Sequence, residues 1–327
     1  MWLTSSSIGR KFVMAITGIC LVLFVTFHVL MNSVAIVWPT AYNTICHLLG
    51  ANWYALVASA GLALLFIIHI IYALWLTVQN RAARGADRYA VNTRPAQVEW
   101  ASKNMLVLGI VVVAFLCVHL VQFWARMQWQ EIIGAEYVHD GVAYAPDFGT
   151  LFLQAAFKLV WTPIVYIIGF IALWFHMNHG FWSMFHSVGW DNNIWISRLK
   201  TIGCWWTSIV VVLFIAQAIV FTVMAHKDYY INNIELQEQY ADAYTEKAEA
   251  LIQELTADMM KEQQAGNFNA QEDVLKANID RIGEIVKGFR GVCPEVVSQP
   301  VMTLSGVYDQ LAPAPAMEMP TQTQPQQ

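Results

Sequence analysis

Five long apolar runs occupy residues 12–37, 53–79, 104–125, 153–185 and 203–225, separated by short polar stretches. Each exceeds the ~20 residues that cross about 30 Å of hydrocarbon. Backbone amides and carbonyls find no partners in lipid, so each run is expected to be helical. The longest are expected to tilt or to extend past the bilayer. Beyond residue 226 the pattern changes. Ile234, Ala241, Ala248 and Leu255 recur every seven residues, with Tyr244 and Leu251 between them, as on the apolar stripe of an amphipathic helix. Gly266-Asn267 interrupts it. A second amphipathic helix is expected over 270–289, with Leu275, Ile279, Ile282, Val286 and Phe289 on one face. Gly291 and Pro294 end it. Two such stripes joined by a short turn predict an antiparallel hairpin. It is too small for a large core of its own and is expected to lie on outer loops or on another subunit. Residues 312–327, rich in Pro and Gln, are expected to be disordered.

The pattern therefore predicts an all-α membrane protein in three parts: a five-helix transmembrane domain (1–226), a helical extension (227–311) and a Pro/Gln-rich tail (312–327). Composition agrees: 57% of the 327 residues are hydrophobic and only 13% are charged, against roughly 25% charged in soluble domains. The net charge of −5 collects in loops and in the last hundred residues, and a nucleic-acid partner is not expected. The five cysteines (Cys20, Cys46, Cys117, Cys204, Cys293) show no CxxC or CxxCH spacing. That argues against zinc, iron–sulfur clusters and covalent haem attachment in this chain. The start, MWLTSSSIGRK, lacks a short apolar stretch ending at a small-residue cleavage site, so the first run is expected to be retained.

Loop charge predicts orientation. Arg10 and Lys11 precede run 1, Arg81, Arg84, Arg88, Arg94 and Lys103 lie between runs 2 and 3, and Arg198 and Lys200 lie between runs 4 and 5. Loops 38–52 and 127–152 contain no Lys or Arg, and the second carries Glu131, Glu136, Asp140 and Asp147. The excess of Lys and Arg marks the cytoplasmic side, so the N-terminus is expected inside and the C-terminus outside.

Each of the first four runs carries a deep histidine: His28, His69, His119 and His176. An ionisable ring in hydrocarbon is costly and points to function. His28 and His119 lie about 16 and 15 residues along runs directed outward; His69 and His176 lie about 16 and 23 residues along runs directed inward. At about 1.5 Å per residue the rings fall on two levels, His28 with His119 toward the outside and His69 with His176 toward the cytoplasm. Pairs from alternate helices suit the bis-histidine ligation of two b haems. His179, one turn after His176, is a competing ligand. Gly18 and Gly109 fall near the inner level, Gly61 and Gly169 near the outer one, where a haem plate needs bare backbone and where ordinary helix contacts also use glycine.

These residues resemble a known family. SSSIGRKFVMAITG (5–18), the histidine order, and His-x-x-x-Gly-x-Trp-Ser at 176–183 are similar to the dihaem cytochrome b membrane anchor of succinate dehydrogenase and fumarate reductase, most of all the single-subunit five-helix b558 type. The likeness covers residues 1 to about 226, and it aligns His176 rather than His179 with the fourth ligand. It implies the electron-transfer subunit of a succinate:quinone oxidoreductase in a bacterial inner membrane. It implies a flavoprotein subunit with covalent FAD and an iron–sulfur subunit on the cytoplasmic side, and a quinone substrate, usually menaquinone. The dicarboxylate site would lie in the partners. Where some relatives carry a glutamate two residues before the fourth ligand, this chain has Trp174, and 43–52 lacks the acidic residue used in quinol oxidation.

Arg10, Lys11 and Lys103 are the expected cations for the inner haem's propionates. A quinone site near the outer haem would draw on Asn43 and His47, with Asn32, Ser33, Trp38 and Trp53 nearby. Rival readings are the cytochrome b of a hydrogenase or formate dehydrogenase, and a haem-free membrane scaffold. The topology has a direct check: protease added to right-side-out spheroplasts should trim the chain from its C-terminus, and trimming only in inverted vesicles would contradict five crossings.

Overall fold

The computed structural model describes residues 6–50, 52–84, 100–135, 137–139, 142–190, 192 and 194–312. The basic residues Arg88 and Arg94, the acidic Glu136 and Asp140, and all of the Pro/Gln-rich tail but Ala312 lie outside them. The described residues fall into two compact units, one of residues 1–137 and 144–236, the other of 138–143 and 237–327.

The first unit holds five helices long and apolar enough to cross a membrane: Ser7–Val37, Trp53–Ala83, Trp100–Trp124, Trp161–Ser187 and Trp195–His226. They belong to helices α1 (Ser7–Val37), α3 (Trp53–Arg84), α4 (Trp100–His119, continued by a π-turn Leu120–Trp124), α7 (Trp161–Ser187) and α8 (Trp195–His226). Four of the five spans begin at tryptophan, the amphipathic ring that prefers the headgroup level. Large apolar side chains such as Leu23, Val57, Ile110, Ile164 and Val212 are exposed along them. So much exposed apolar surface is a liability in water and the expected surface in lipid.

Local chemistry sets the ends. Ser6 caps α1, its Oγ accepting from the Gly9 amide at 2.9 Å. Pro39 disfavours a helical Trp38, which takes φ −148°, ψ 79°, and the chain restarts as α2 (Pro39–Leu48). Residues 153–185 do not form one span as expected. They split into α6 (Gly149–Phe157) and α7, with α5 (Gln128–Ile132) and a small strand pair, Tyr137–His139 with Val142–Tyr144, before them. The cause is Pro163, which lacks an amide hydrogen and whose ring clashes with the carbonyl four residues earlier. Every residue of α6 is buried.

Helix α7 touches α1, α4 and α8, and α8 also touches α1 and α6. Span 5, which has no deep histidine, works as a buttress. Gln217 donates to the Val29 carbonyl at 2.7 Å and to Ser33 Oγ at 2.8 Å. Ser208 accepts from Trp174 Nε1 at 2.9 Å, Trp206 Nε1 donates to Thr26 Oγ1 at 3.1 Å, and Phe214 stacks on Phe170. Helix α8 stops at Lys227, followed by Asp228 in the left-handed region at φ 51°. Asp228 accepts from Gln154 at 2.8 Å and pairs with Lys158, and α9 (Tyr229–Asn232) follows.

The second unit contains α10 (Ile234–Gln264, which enters it at Gln237), α11 (Ala270–Ala277), α12 (Ile279–Val292) and α13 (Gln299–Leu311). The predicted helix over 270–289 is broken at Asn278, whose side-chain amide bonds back to the Val274 carbonyl at 3.0 Å, a local bond that competes with the helical ladder. A further helix, α13, follows the two expected segments. Ser298, Pro300, Val301 and Leu304 carried its start and its apolar stripe. Contacts between α10 and α12 run antiparallel: Arg281 grips Glu254 through both nitrogens, at 2.8 and 2.7 Å, and Tyr244 meets Phe289. Arg290 joins Asp309 of α13 at 3.1 and 2.6 Å. Tyr240, Ile282, Val286 and Val301 are fully enclosed at 0% exposure.

Ile282→Ala should therefore destabilise this unit by about 2–5 kcal/mol, read as faster protease nicking within the extension of the full-length protein; an unchanged nicking rate would contradict the buried position. Burial also pushes the Cys293 thiol up to about 12, leaving it protonated at pH 8. In the native chain Cys293 should resist N-ethylmaleimide and react only after unfolding. Labelling at the unfolded rate would show that the site is open.

Candidate functional site

Four of the spans converge on the predicted histidines and join them in two pairs. The rings of His28 (α1) and His119 (α4) lie 5.8 Å apart between centres, with planes at 86°. Those of His69 (α3) and His176 (α7) lie 6.2 Å apart, at 64°. Helix α1 gives the vertical scale. Thr17 touches His69, eleven residues before His28, so the two levels stand roughly 16 Å apart along the axis. The near level, counted from the start of α1, holds His69 and His176; the far level holds His28 and His119.

The surroundings differ. Phe24 stacks on His28 at 5.4 Å, and Phe115, Phe123 and Tyr166 surround His119 at 5.3 to 6.0 Å. Small residues line the near pair. A Cβ on Gly109 would sit 3.7 Å from His176 Cε1, and one on Gly18 4.0 Å from His69 Cε1. Gly169 is a packing glycine, since a Cβ there would lie 2.4 Å from Phe115; at Gly61 nothing lies within 4 Å.

Polar partners inside the spans were not among the expected site residues. His69 Nδ1 lies 3.1 Å from Thr17 Oγ1. His119 Nδ1 lies 3.2 Å from the Tyr166 hydroxyl, which donates to Gln122 Oε1 at 2.9 Å, and Gln122 Nε2 donates to Thr162 Oγ1 at 3.1 Å. Gln122 sits in the π-turn directly after His119, a local widening found frequently at functional sites. Asn32 donates to the His28 carbonyl at 2.8 Å, lies 3.4 Å from His28 Nε2, and accepts from Tyr42 at 3.1 Å. His176 Nδ1 is buried without a hydrogen-bond partner. The available signal was a polar side chain within an apolar run, which must find a partner there.

An iron held by two imidazoles needs about 2 Å to each nitrogen and about 1 Å more to each ring centre, so ring centres roughly 6 Å apart. Both pairs meet that spacing. All four rings are only partly buried, and bare glycine backbone borders the near pair. The residues present fit a bis-histidine haem at each level. His179 lies against Trp182 of its own helix, ring centres 4.9 Å apart, whereas His176 is the ring that faces His69.

The other expected site residues are scattered. A cavity of about 360 Å³ at the start of α1 is lined by Lys11, Ser183, His186 and Ser187 with apolar neighbours. Arg10 lies over the Trp75 ring at 5.4 Å, and Lys103 is exposed. Asn43 is 2% exposed, and its side-chain oxygen accepts from Thr150 N at 3.0 Å and Thr150 Oγ1 at 2.8 Å. It caps the first turn of α6, a structural task that holds its oxygen. His47 is 68% exposed and stands 3.3 Å from Asp147. Beside it, burial pushes the Cys46 thiol up to about 12.

No protein-family model matches the chain, and no match was found among curated proteins or among solved structures. The geometry makes its own distinction between neighbouring histidines. His176→Ala should remove about half of the b-type absorbance of the purified chain, and His179→Ala should leave it intact. The opposite outcome would give the iron to His179.

Proposed function

We propose that this chain is the membrane-anchoring, dihaem cytochrome b subunit of a succinate:quinone oxidoreductase of the five-helix b558 type. The observation that carries the reading is the pairing of four histidines from four spans at two levels, with ring centres 5.8 and 6.2 Å apart. The sequence likeness in 5–18 and 176–183 supports the choice of family. In this reading His69 and His176 hold the inner haem and His28 and His119 the outer one. When bound, haem supplies reversible one-electron carriage across the bilayer.

The chain's own residues do the rest. The spans exclude water from both levels, and the histidines fix the two positions. Lys11, with the hydroxyls of Ser183 and Ser187, offers a polar mouth at the inner end for propionates. His47 beside Asp147 is the group placed to move a proton for quinone at the outer end. The reading places the N-terminus in the bacterial cytoplasm, the C-terminal extension in the periplasm, and the flavoprotein and iron–sulfur subunits at the cytoplasmic face. Menaquinone is the quinone of choice.

Affinity purification of the full-length chain from its native membrane tests the assembly. A protein with covalent, fluorescent FAD should copurify, and succinate should reduce the b-type bands. Bands reduced by hydrogen or formate, and not by succinate, would assign the chain to another quinone-linked complex.

A further inference from the structure

The two levels share a feature that simple pairing does not require. In each pair, one histidine has its Nδ1 against a hydroxyl whose single hydrogen is committed elsewhere. Thr17 Oγ1 lies within donating distance of the Val13 and Met14 carbonyls, at 2.9 and 3.1 Å; with its hydrogen on either, it presents a lone pair toward His69 Nδ1 at 3.1 Å. Tyr166 donates to Gln122 Oε1 at 2.9 Å, so toward His119 Nδ1, at 3.2 Å, it also presents a lone pair. The Gln122 amide is itself oriented by its bond to Thr162. With each hydroxyl hydrogen placed on those oxygens, both hydroxyls accept from the ring, and the hydrogen of each ring sits on Nδ1. That leaves the lone pair on Nε2. The opposite rings lack this arrangement: His176 Nδ1 has no partner, and the polar neighbour of the His28 ring, Asn32, lies at Nε2.

We propose that Thr17 and Tyr166 are positioning residues, one for each haem level, which fix the tautomer and orientation of His69 and His119 and thereby set the two haem potentials separately. The proposal rests on the dihaem reading above. The physical basis is general: a ligating imidazole that donates its second N–H is more basic and better oriented. A more basic ligand favours ferric over ferrous iron and lowers the midpoint. Removing the acceptor should raise it.

Redox titration of the purified full-length protein, followed at the b-type bands, tests this. Tyr166→Phe should shift one midpoint upward and leave the other in place. Thr17→Val should shift the other, and Thr17→Ser, which keeps the hydroxyl, should restore it. The expected change is roughly tenfold in the reduction equilibrium, about 59 mV for one electron. Loss of one haem in either variant, with the second haem and its potential unchanged, supports the same role, because the ring has then lost its ligating form. Unchanged midpoints in both variants with two haems bound, or both midpoints moving together in one variant, would overturn the proposal and leave the dihaem reading standing. A wild-type protein with no b-type spectrum would instead remove the reading on which the proposal rests.

Discussion

An imidazole placed deep in hydrocarbon needs a partner, and the structure depends on how that need is met. Burying a polar group without a hydrogen bond or a ligand costs several kcal/mol, and four such rings would burden a bundle whose helices already gain little from the hydrophobic effect inside lipid. The chain brings the rings together in two pairs about 6 Å apart and supports them with hydroxyls, glycines and aromatic rings. A shared iron on each pair would satisfy the inward-facing nitrogens in a way that a direct imidazole contact at that distance does not.

The remaining architecture follows from holding four helices in register. Helix α7 is the hub, since one helix carries Tyr166 at the far level and His176 at the near one. Its two contacts are ten residues apart, roughly 15 Å by helical rise, and α4 repeats that spacing between Gly109 and His119. Helix α8 braces α1 and α7 through Gln217, Trp206 and Ser208. At one end of the bundle, α6 is capped from α2 by Asn43 and tied to Asp228 by Gln154. Asn43 thus serves the scaffold through the same amide oxygen that made it attractive as a quinone ligand.

Much of this was legible in the sequence, for physical reasons. Hydrocarbon thickness enforces long apolar runs, so the five spans stand out. Helical rise is constant, so counting residues along the runs is enough to set His28 level with His119 and His69 level with His176. The misreadings have equally local causes. Pro163 lies in a run apolar enough to look continuous, and only its missing amide and its clash with the preceding turn divide α6 from α7. Asn278 breaks the extension with one side-chain bond, and α13 lies beyond the stop at Gly291 and Pro294, where Ser298, Pro300, Val301 and Leu304 mark its start and its apolar stripe. Thr17 and Tyr166 escaped because their roles depend on which way a neighbouring helix turns, and spacing along one helix carries no such information. The proposed partners and substrate rest on the resemblance to the succinate dehydrogenase anchors, since apolar pattern and spacing do not contain them.

The proposed function requires two haems, one for each histidine pair, and the most direct test is to count them. A pyridine haemochrome assay on the purified full-length chain, set against its protein content by amino-acid analysis, should give two haem b per polypeptide, both low-spin. A ratio near zero in protein purified from haem-replete cells, or a single haem, would contradict the paired-level account.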